Sequence, residues 1–172
     1  ATEENRERCD LTKVLRDALR LLEPELECRG NKVQLEIDEG FPLMEADAGQ
    51  FQQVFYNLLR NAYQAIPGKG GLIRISARSN EFEATLSIED NGTGISPEHM
   101  GSLFEPYRTT KQSGSGLGLL IVRRVVREHG GEIEIQSEPG TGTRILVHLP
   151  RGPKPVRLLE SHDKVIDVEV SH

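Results

Sequence analysis

Apolar residues recur early in the chain at Leu11, Val14, Leu15, Ala18, Leu19 and Leu22. That spacing lines one side of a 3.6-residue helix. Asp10 stands just ahead, where a side-chain oxygen can cap free helical N–H groups. The pattern then changes period: "KVQLEID" alternates Val33, Leu35 and Ile37 with polar neighbours, the mark of a strand with one buried face. A longer helical period returns in "ADAGQFQQVFYNLLRNAYQAI", opened by Asp47 and stopped by Pro67-Gly68. "GLIRISARS" and "EATLSIED" alternate again. So do "EIEIQSE" and "TRILVHLP", which are joined by the turn sequence Pro139-Gly140-Thr141-Gly142. Between the two strand pairs, residues 91–114 are loop-rich, with a short helix expected at Ser96-Pro97. The helix "LGLLIVRRVVREHG" follows, with Gly130 as its C′ residue and His129 as a partner for the dipole at its C-terminus.

The order helix, strand, helix, strand, strand, loop, helix, strand, strand predicts an α/β (α+β) two-layer sandwich. Its sheet is mixed and mostly antiparallel, with the helices on one face. The expected domain covers 10–150. Residues 1–9 are read as the remnant of a preceding helix or a linker. Residues 151–172, where the pattern decays, are read as a tail, a linker or an appended strand.

Composition narrows the function without naming it. A chain of 172 residues supports one domain with a real core. The net charge of −6, with no basic block, argues against nucleic acid as a partner. No apolar run reaches the roughly 20 residues that cross a bilayer, so no membrane contact by this fragment is expected, although an anchor elsewhere in a longer protein stays open. Cys9 and Cys28 form neither a disulfide framework nor a metal-ligand spacing, which fits a reducing, cytoplasmic setting. The five histidines are scattered and have no Cys or His partner at ligand spacing.

Chemistry gathers in three places. Asp90 ends an apolar strand and is followed by Asn91-Gly92-Thr93-Gly94. The glycines permit positive φ and close approach of a flat ligand, and a carboxylate there can accept from an exocyclic amino group such as adenine's. Taken alone, this string is more often a hairpin turn or a capping loop. Gly114-Ser115-Gly116-Leu117-Gly118 opens a helix, where backbone N–H groups and the helix dipole favour phosphate; a flexible hinge is the alternative. It lacks the preceding strand and third glycine of a dinucleotide fingerprint, and the Gly-Lys-Ser/Thr of a Walker loop. Asn57 and Asn61 share a helix face with Val54, Leu58, Ala62 and Ala65. The Asn61 carbonyl could ligate Mg²⁺, or the pair could be solvated or bonded to a neighbouring strand.

The combination N-L-L-x-N-A, D-x-G-x-G, F-x-P-Y, G-x-G-L-G-L and G-T-G-T, in that order over about 90 residues, resembles the ATP-binding catalytic domain of bacterial sensor histidine kinases. These belong to the GHKL superfamily, with the Bergerat-type fold shared by gyrase, the mismatch-repair ATPases and chaperone ATPases. The resemblance covers residues 10–150. It implies that Asn57 and Asn61 form the N box, with Asn61 the Mg²⁺ ligand and part of the catalytic machinery. Asp90, Gly92 and Gly94 would read adenine, with Thr143 behind that pocket. Phe104, Pro106 and Tyr107 would form the F box. Gly114, Ser115, Gly116, Leu117 and Gly118 would surround the phosphates. The segment from Ser96 to Gly114 would act as a lid that brings Tyr107, Thr110 and Lys111 to the nucleotide, with Lys111 a catalytic cation at the terminal phosphate. "FEPYRTTK" looks like the nitrogen-regulation branch of these kinases.

Three departures matter. Gln64 stands where many members carry a basic residue, which shifts phosphate contact towards Arg108 or Lys111. Tyr107-Arg108 replaces a frequent aromatic pair. Asn57 occupies the place of the glutamate that activates water in hydrolysing relatives, and an amide is no base. No phosphoacceptor histidine precedes the domain, and Ser161-His162-Asp163-Lys164 imitates that motif only in part. The resemblance therefore implies a catalytic portion that binds ATP and Mg²⁺ and transfers the γ-phosphoryl group to a histidine on a separate helical hairpin, with a response regulator downstream. A GHKL-type ATPase and a binding-only regulatory module are the alternatives.

Overall fold

Asp10 and Asp47 cap their helices as their positions predict. The Asp10 carboxylate accepts from Thr12 N at 2.9 Å, and the Asp47 carboxylate from Gln50 N at 3.2 Å. The computed structural model describes residues 5–105 and 118–151. In chain order these form β1 (Glu7–Cys9), α1 (Leu11–Cys28), β2 (Lys32–Ile37), β3 (Met44–Ala46), α2 (Ala48–Ala65), β4 (Leu72–Ser79), β5 (Glu83–Asp90), α3 (Pro97–Met100), α4 (Gly118–Glu128), β6 (Glu132–Glu138) and β7 (Gly142–Pro150). Pro24 lies inside α1 on its exposed side, so the carbonyl it leaves unbonded can turn to water.

The main sheet has five strands in the order β2-β4-β5-β7-β6. β2 runs parallel to β4, and every other pairing is antiparallel. Its inner face, with Ile73, Ile75, Ala77, Ala84, Leu86, Ile88, Ile145 and Val147, packs against Leu11, Leu15 and Leu22 of α1, Phe51, Phe55 and Leu58 of α2, and Val122 and Val125 of α4. The opposite face carries polar pairs such as Arg78–Glu36 at 3.3 Å. One buried and one polar face is what the period-2 strands predict, and the two-layer sandwich is the observed architecture. No helix among the described residues is long and apolar enough to cross a membrane.

Two features depart from the sequence reading. Residues 7–9, expected to precede the domain, form β1, which pairs antiparallel with β3 from Glu7↔Ala46 to Cys9↔Met44. His129 does meet the end of helix α4, but as a neutral hydrogen-bond donor rather than as a charge. Its Nδ1 donates to Val125 O at 2.8 Å, while Nε2 accepts from Asp47 N at 3.1 Å, which requires the neutral ring. Burial, with Phe51 packed edge-on at 4.7 Å, pushes its pKa down, and the nearby Arg6 guanidinium adds to this. Helix α4 is closed instead by backbone: Gly130 at φ 75° donates to Arg127 O, and Gly131 to Val126 O.

Candidate functional site

The inward register of β5 buries Ala84, Leu86 and Ile88, and the same parity carries Asp90 inward at the strand's tip. An acid at a core position, 7% exposed, needs partners. Asp90 Oδ1 accepts from Gly92 N at 2.8 Å. Directly across the ladder stands Thr143, equally buried and facing the same side. The carboxylate and the hydroxyl thus share one corner between sheet and helices.

The loop that leaves Asp90 is clamped on both sides. Thr93 N donates to Ala65 O at 2.9 Å, and Thr93 O accepts from Gly140 N at 2.8 Å. This gives the glycines a reason in the fold itself. A Cβ on Gly92 would lie 2.3 Å from Ala65 O. One on Gly94, whose φ is +74°, would lie 2.2 Å from Glu138 O. Close approach of protein backbone thus requires glycine at both positions in the fold itself. Gly142, at φ +140°, does the same against Asp90 O.

Helix α2 links this corner to the start of α4. Asn57, Asn61 and Ala65 follow one another at four-residue steps, a slanting row on one side of the helix. Ala65 touches the Asp90 loop, while a Cβ on Gly118 would meet the Asn57 side chain at 4.0 Å. Asn61 lies between, half-buried. The row spans about 12 Å along the axis at 1.5 Å per residue, a length suited to a ligand with a flat base at one end and phosphates at the other. The structure thus brings together Asn57, Asn61, Asp90, Gly92, Gly94, Gly118 and Thr143. Tyr107, Thr110, Lys111, Gly114, Ser115, Gly116 and Leu117 lie outside the described residues, as do Pro106 and Arg108. Phe104 is described, and the Arg123 guanidinium of α4 stacks 4.7 Å from its ring centroid.

The sequence reading missed Ser137 of β6. Its hydroxyl accepts from Ile95 N at 2.8 Å, reaches Gly142 O at 3.1 Å and lies 2.8 Å from Thr143 Oγ1. The signal was present: in "EIEIQSE", Ser137 takes the inward parity of Ile133 and Ile135, and a polar residue there calls for a reason.

A cleft of about 880 Å³ lies elsewhere, between β1, β3 and the end of β7, with Arg6, Arg8, Leu43, His129 and Arg151 among its walls. None of the candidate nucleotide- or metal-binding residues read from the sequence lines it. Volume alone is a weaker guide than convergent polar groups, and the Asp90 corner has those.

For the metal, the donor set is informative. Among the described residues, no group of three or more His, Cys, Asp or Glu side chains could hold an ion. Asn61, half-buried on α2, carries a carboxamide oxygen, a hard ligand type suited to an ion whose other ligands are water and phosphate. The residues present fit Mg²⁺ carried in with a nucleotide rather than a resident metal centre.

Comparison with known proteins agrees with this geometry. The profile of the family described as histidine kinase-, DNA gyrase B- and HSP90-like ATPase matches residues 46–153. Sensor histidine kinase ZraS of Escherichia coli O157:H7 is 36% identical over 141 residues, covering 82% of this chain and 31% of that protein. The chain thus spans less than a third of that relative's length. Among solved structures, the catalytic domain of histidine kinase ThkA superposes with a TM-score of 0.74 at 30% identity, covering 83% of this chain and 95% of that one. A mycobacterial sensor histidine kinase, MprB, gives 0.75 at 28% identity, covering 86% and 100%. The chain belongs to the histidine kinase-, DNA gyrase B- and HSP90-like ATPase family, within its sensor histidine kinase catalytic domains.

Proposed function

We propose that this domain binds ATP with Mg²⁺ and passes the γ-phosphoryl group to a histidine on a separate helical hairpin of the same full-length kinase, which then serves a response regulator. The observation that carries this reading is the inward carboxylate of Asp90, opposed by Thr143 and joined by the Asn57–Asn61–Ala65 row to the start of α4. Asp90 accepts from the adenine amino group, and Thr143 lies behind it. Asn61 supplies an oxygen ligand to Mg²⁺, which offsets phosphate charge when bound. Gly118 and the residues before it, Gly114 to Leu117, offer backbone N–H groups to the phosphates. Tyr107 and Thr110 line the nucleotide, and Lys111 meets charge developing on the terminal phosphoryl group.

In the transfer, an imidazole nitrogen bonds to the γ-phosphorus. The bond from that phosphorus to the β–γ bridging oxygen breaks, and its electron pair leaves on ADP. Positioning and charge stabilisation supply most of the acceleration. Asn57 supports transfer over hydrolysis, because an amide at that place takes no proton from water. An ATP-consuming domain of this kind works in the cytoplasm, whatever anchors the full protein. The test is to add Mg²⁺-ATP and the hairpin region of the full-length kinase to this chain. Acid-labile phosphohistidine on the hairpin is expected. Nucleotide binding without any such product would leave a regulatory binding module instead.

A further inference from the structure

Ser137 carries one hydroxyl proton and two lone pairs, and it has three partners. Ile95 N–H donates to it, which uses one lone pair. Gly142 O can only accept, and the Ser137 hydroxyl is placed to donate to it at 3.1 Å. With the proton so placed, the 2.8 Å contact to Thr143 Oγ1 runs from Thr143 to Ser137; the reverse polarity would require Ser137 to release Gly142 O. Among the described residues Thr143's hydroxyl has no other partner, so its proton is committed and its lone pairs stay available. Thr143 stands opposite Asp90 on the ladder, and both are buried at 7% exposure. The corner therefore presents acceptors from both side chains.

We infer that Ser137 is a specificity-setting positioning residue: by holding the Thr143 hydroxyl as an acceptor beside Asp90, it makes the base pocket select a purine with an amino group at position 6 over one with a 6-oxo group. This deepens the reading of the site as an ATP pocket and rests on it. A 6-amino group brings two hydrogens to two acceptors. A 6-oxo group would place a third acceptor among lone pairs, and a buried acceptor left unmet is costly. Without Ser137, the Thr143 hydroxyl is free to turn and donate to the 6-oxo oxygen.

The experiment compares ATP with inosine triphosphate, which differs at that position and at the adjoining N1 proton, by calorimetric titration of the full chain. Wild type should prefer ATP. In Ser137→Ala the ratio of the two affinities should fall about three- to tenfold, the worth of one hydrogen bond, while Asp90 keeps part of the preference. Ser137→Cys retains the shape with a weakly bonding thiol and should lower the ratio likewise, which covers the case of an unfolded alanine variant. With Thr143→Val as background, removing the Ser137 hydroxyl should leave the ratio unchanged, since the hydroxyl it orients is gone. A merely structural serine would weaken both nucleotides equally, and an unchanged ratio in the folded single variants overturns the inference. Failure of wild type to bind either nucleotide overturns the ATP reading itself, and this inference with it.

Discussion

Replacing Asp90 by asparagine separates the carboxylate's ligand role from its structural one. The two side chains have the same shape, and an asparagine oxygen can still accept from Gly92 N, now 2.8 Å from Asp90 Oδ1. That bond changes from charged to neutral acceptor, a loss of about half its strength, so the ligand-free fold should lose only about 1 kcal/mol. The binding loss is larger. A bond to a charged group is worth about 1.5–3 kcal/mol, and turning the new amide towards an amino group leaves a buried donor unmet for about 1–3 more. Together these weaken ATP by about 10²–10⁴-fold at 1.4 kcal/mol per decade. Calorimetry gives the ATP affinity, and a ligand-free melt gives the fold cost. An ATP affinity within about threefold of wild type would refute the assignment of Asp90 to adenine, since less than about 0.7 kcal/mol would then have been lost. A collapsed melt without ligand would show that the carboxylate is there for the fold.

Other expectations follow from the same geometry. Asn61→Ala should abolish the Mg²⁺ dependence of ATP binding while leaving the ligand-free melt near wild type, and an unchanged metal response would remove Asn61 as a ligand. Gly94→Ala forces a side chain into positive φ and against Glu138 O. It should cost about 1–3 kcal/mol, a fall of roughly 2–12 °C in melting temperature, and a neutral result would mean that the loop is not clamped there. His129 has its pKa lowered by burial, from an ordinary value of 6.5. The unfolded chain therefore binds this proton more readily than the folded one. Its neutral ring costs nothing above pH 6.5, and stability falls as the pH drops below that value. Denaturant melts from pH 7.5 to 5 should show that slope reduced in His129→Gln, and identical slopes would exclude His129 as its source.

The main elements were legible because their periods were long and their ends were marked. Asp10, Asp47 and Gly130 close helices by chemistry confined to a few residues, and the alternating strands left their buried faces open to reading. β1 and β3 were not legible. Three residues cannot display a period, and their pairing joins positions 35 to 39 residues apart, from Cys9↔Met44 to Glu7↔Ala46. The site was half legible. Asp90, Asn57 and Asn61 are polar residues at inward or shared-face positions, which pattern alone can flag. The reason for Gly92 and Gly94 was hidden, since it lies in Ala65 O and Glu138 O, backbone atoms distant in sequence. The His129 charge state was hidden likewise, because Asp47 N, 82 positions away, decides which ring nitrogen must accept.

The pairing of β2 with β4 and the packing of α1 against α2 lie partly outside residues 46–153, the stretch the family profile matches. Cutting the chain at that boundary would strip Leu11, Leu15, Ala18 and Leu22 from Phe51 and Phe55, and would leave β4 as a naked edge inviting intermolecular strand pairing. Each large aliphatic lost from the interior forfeits about 1.5–3 kcal/mol, against a total stability of about 5–15. A shortened version would be expected to aggregate before it could be asked whether it still held a nucleotide. The unit expected to fold on its own is thus longer than the segment the family profile covers.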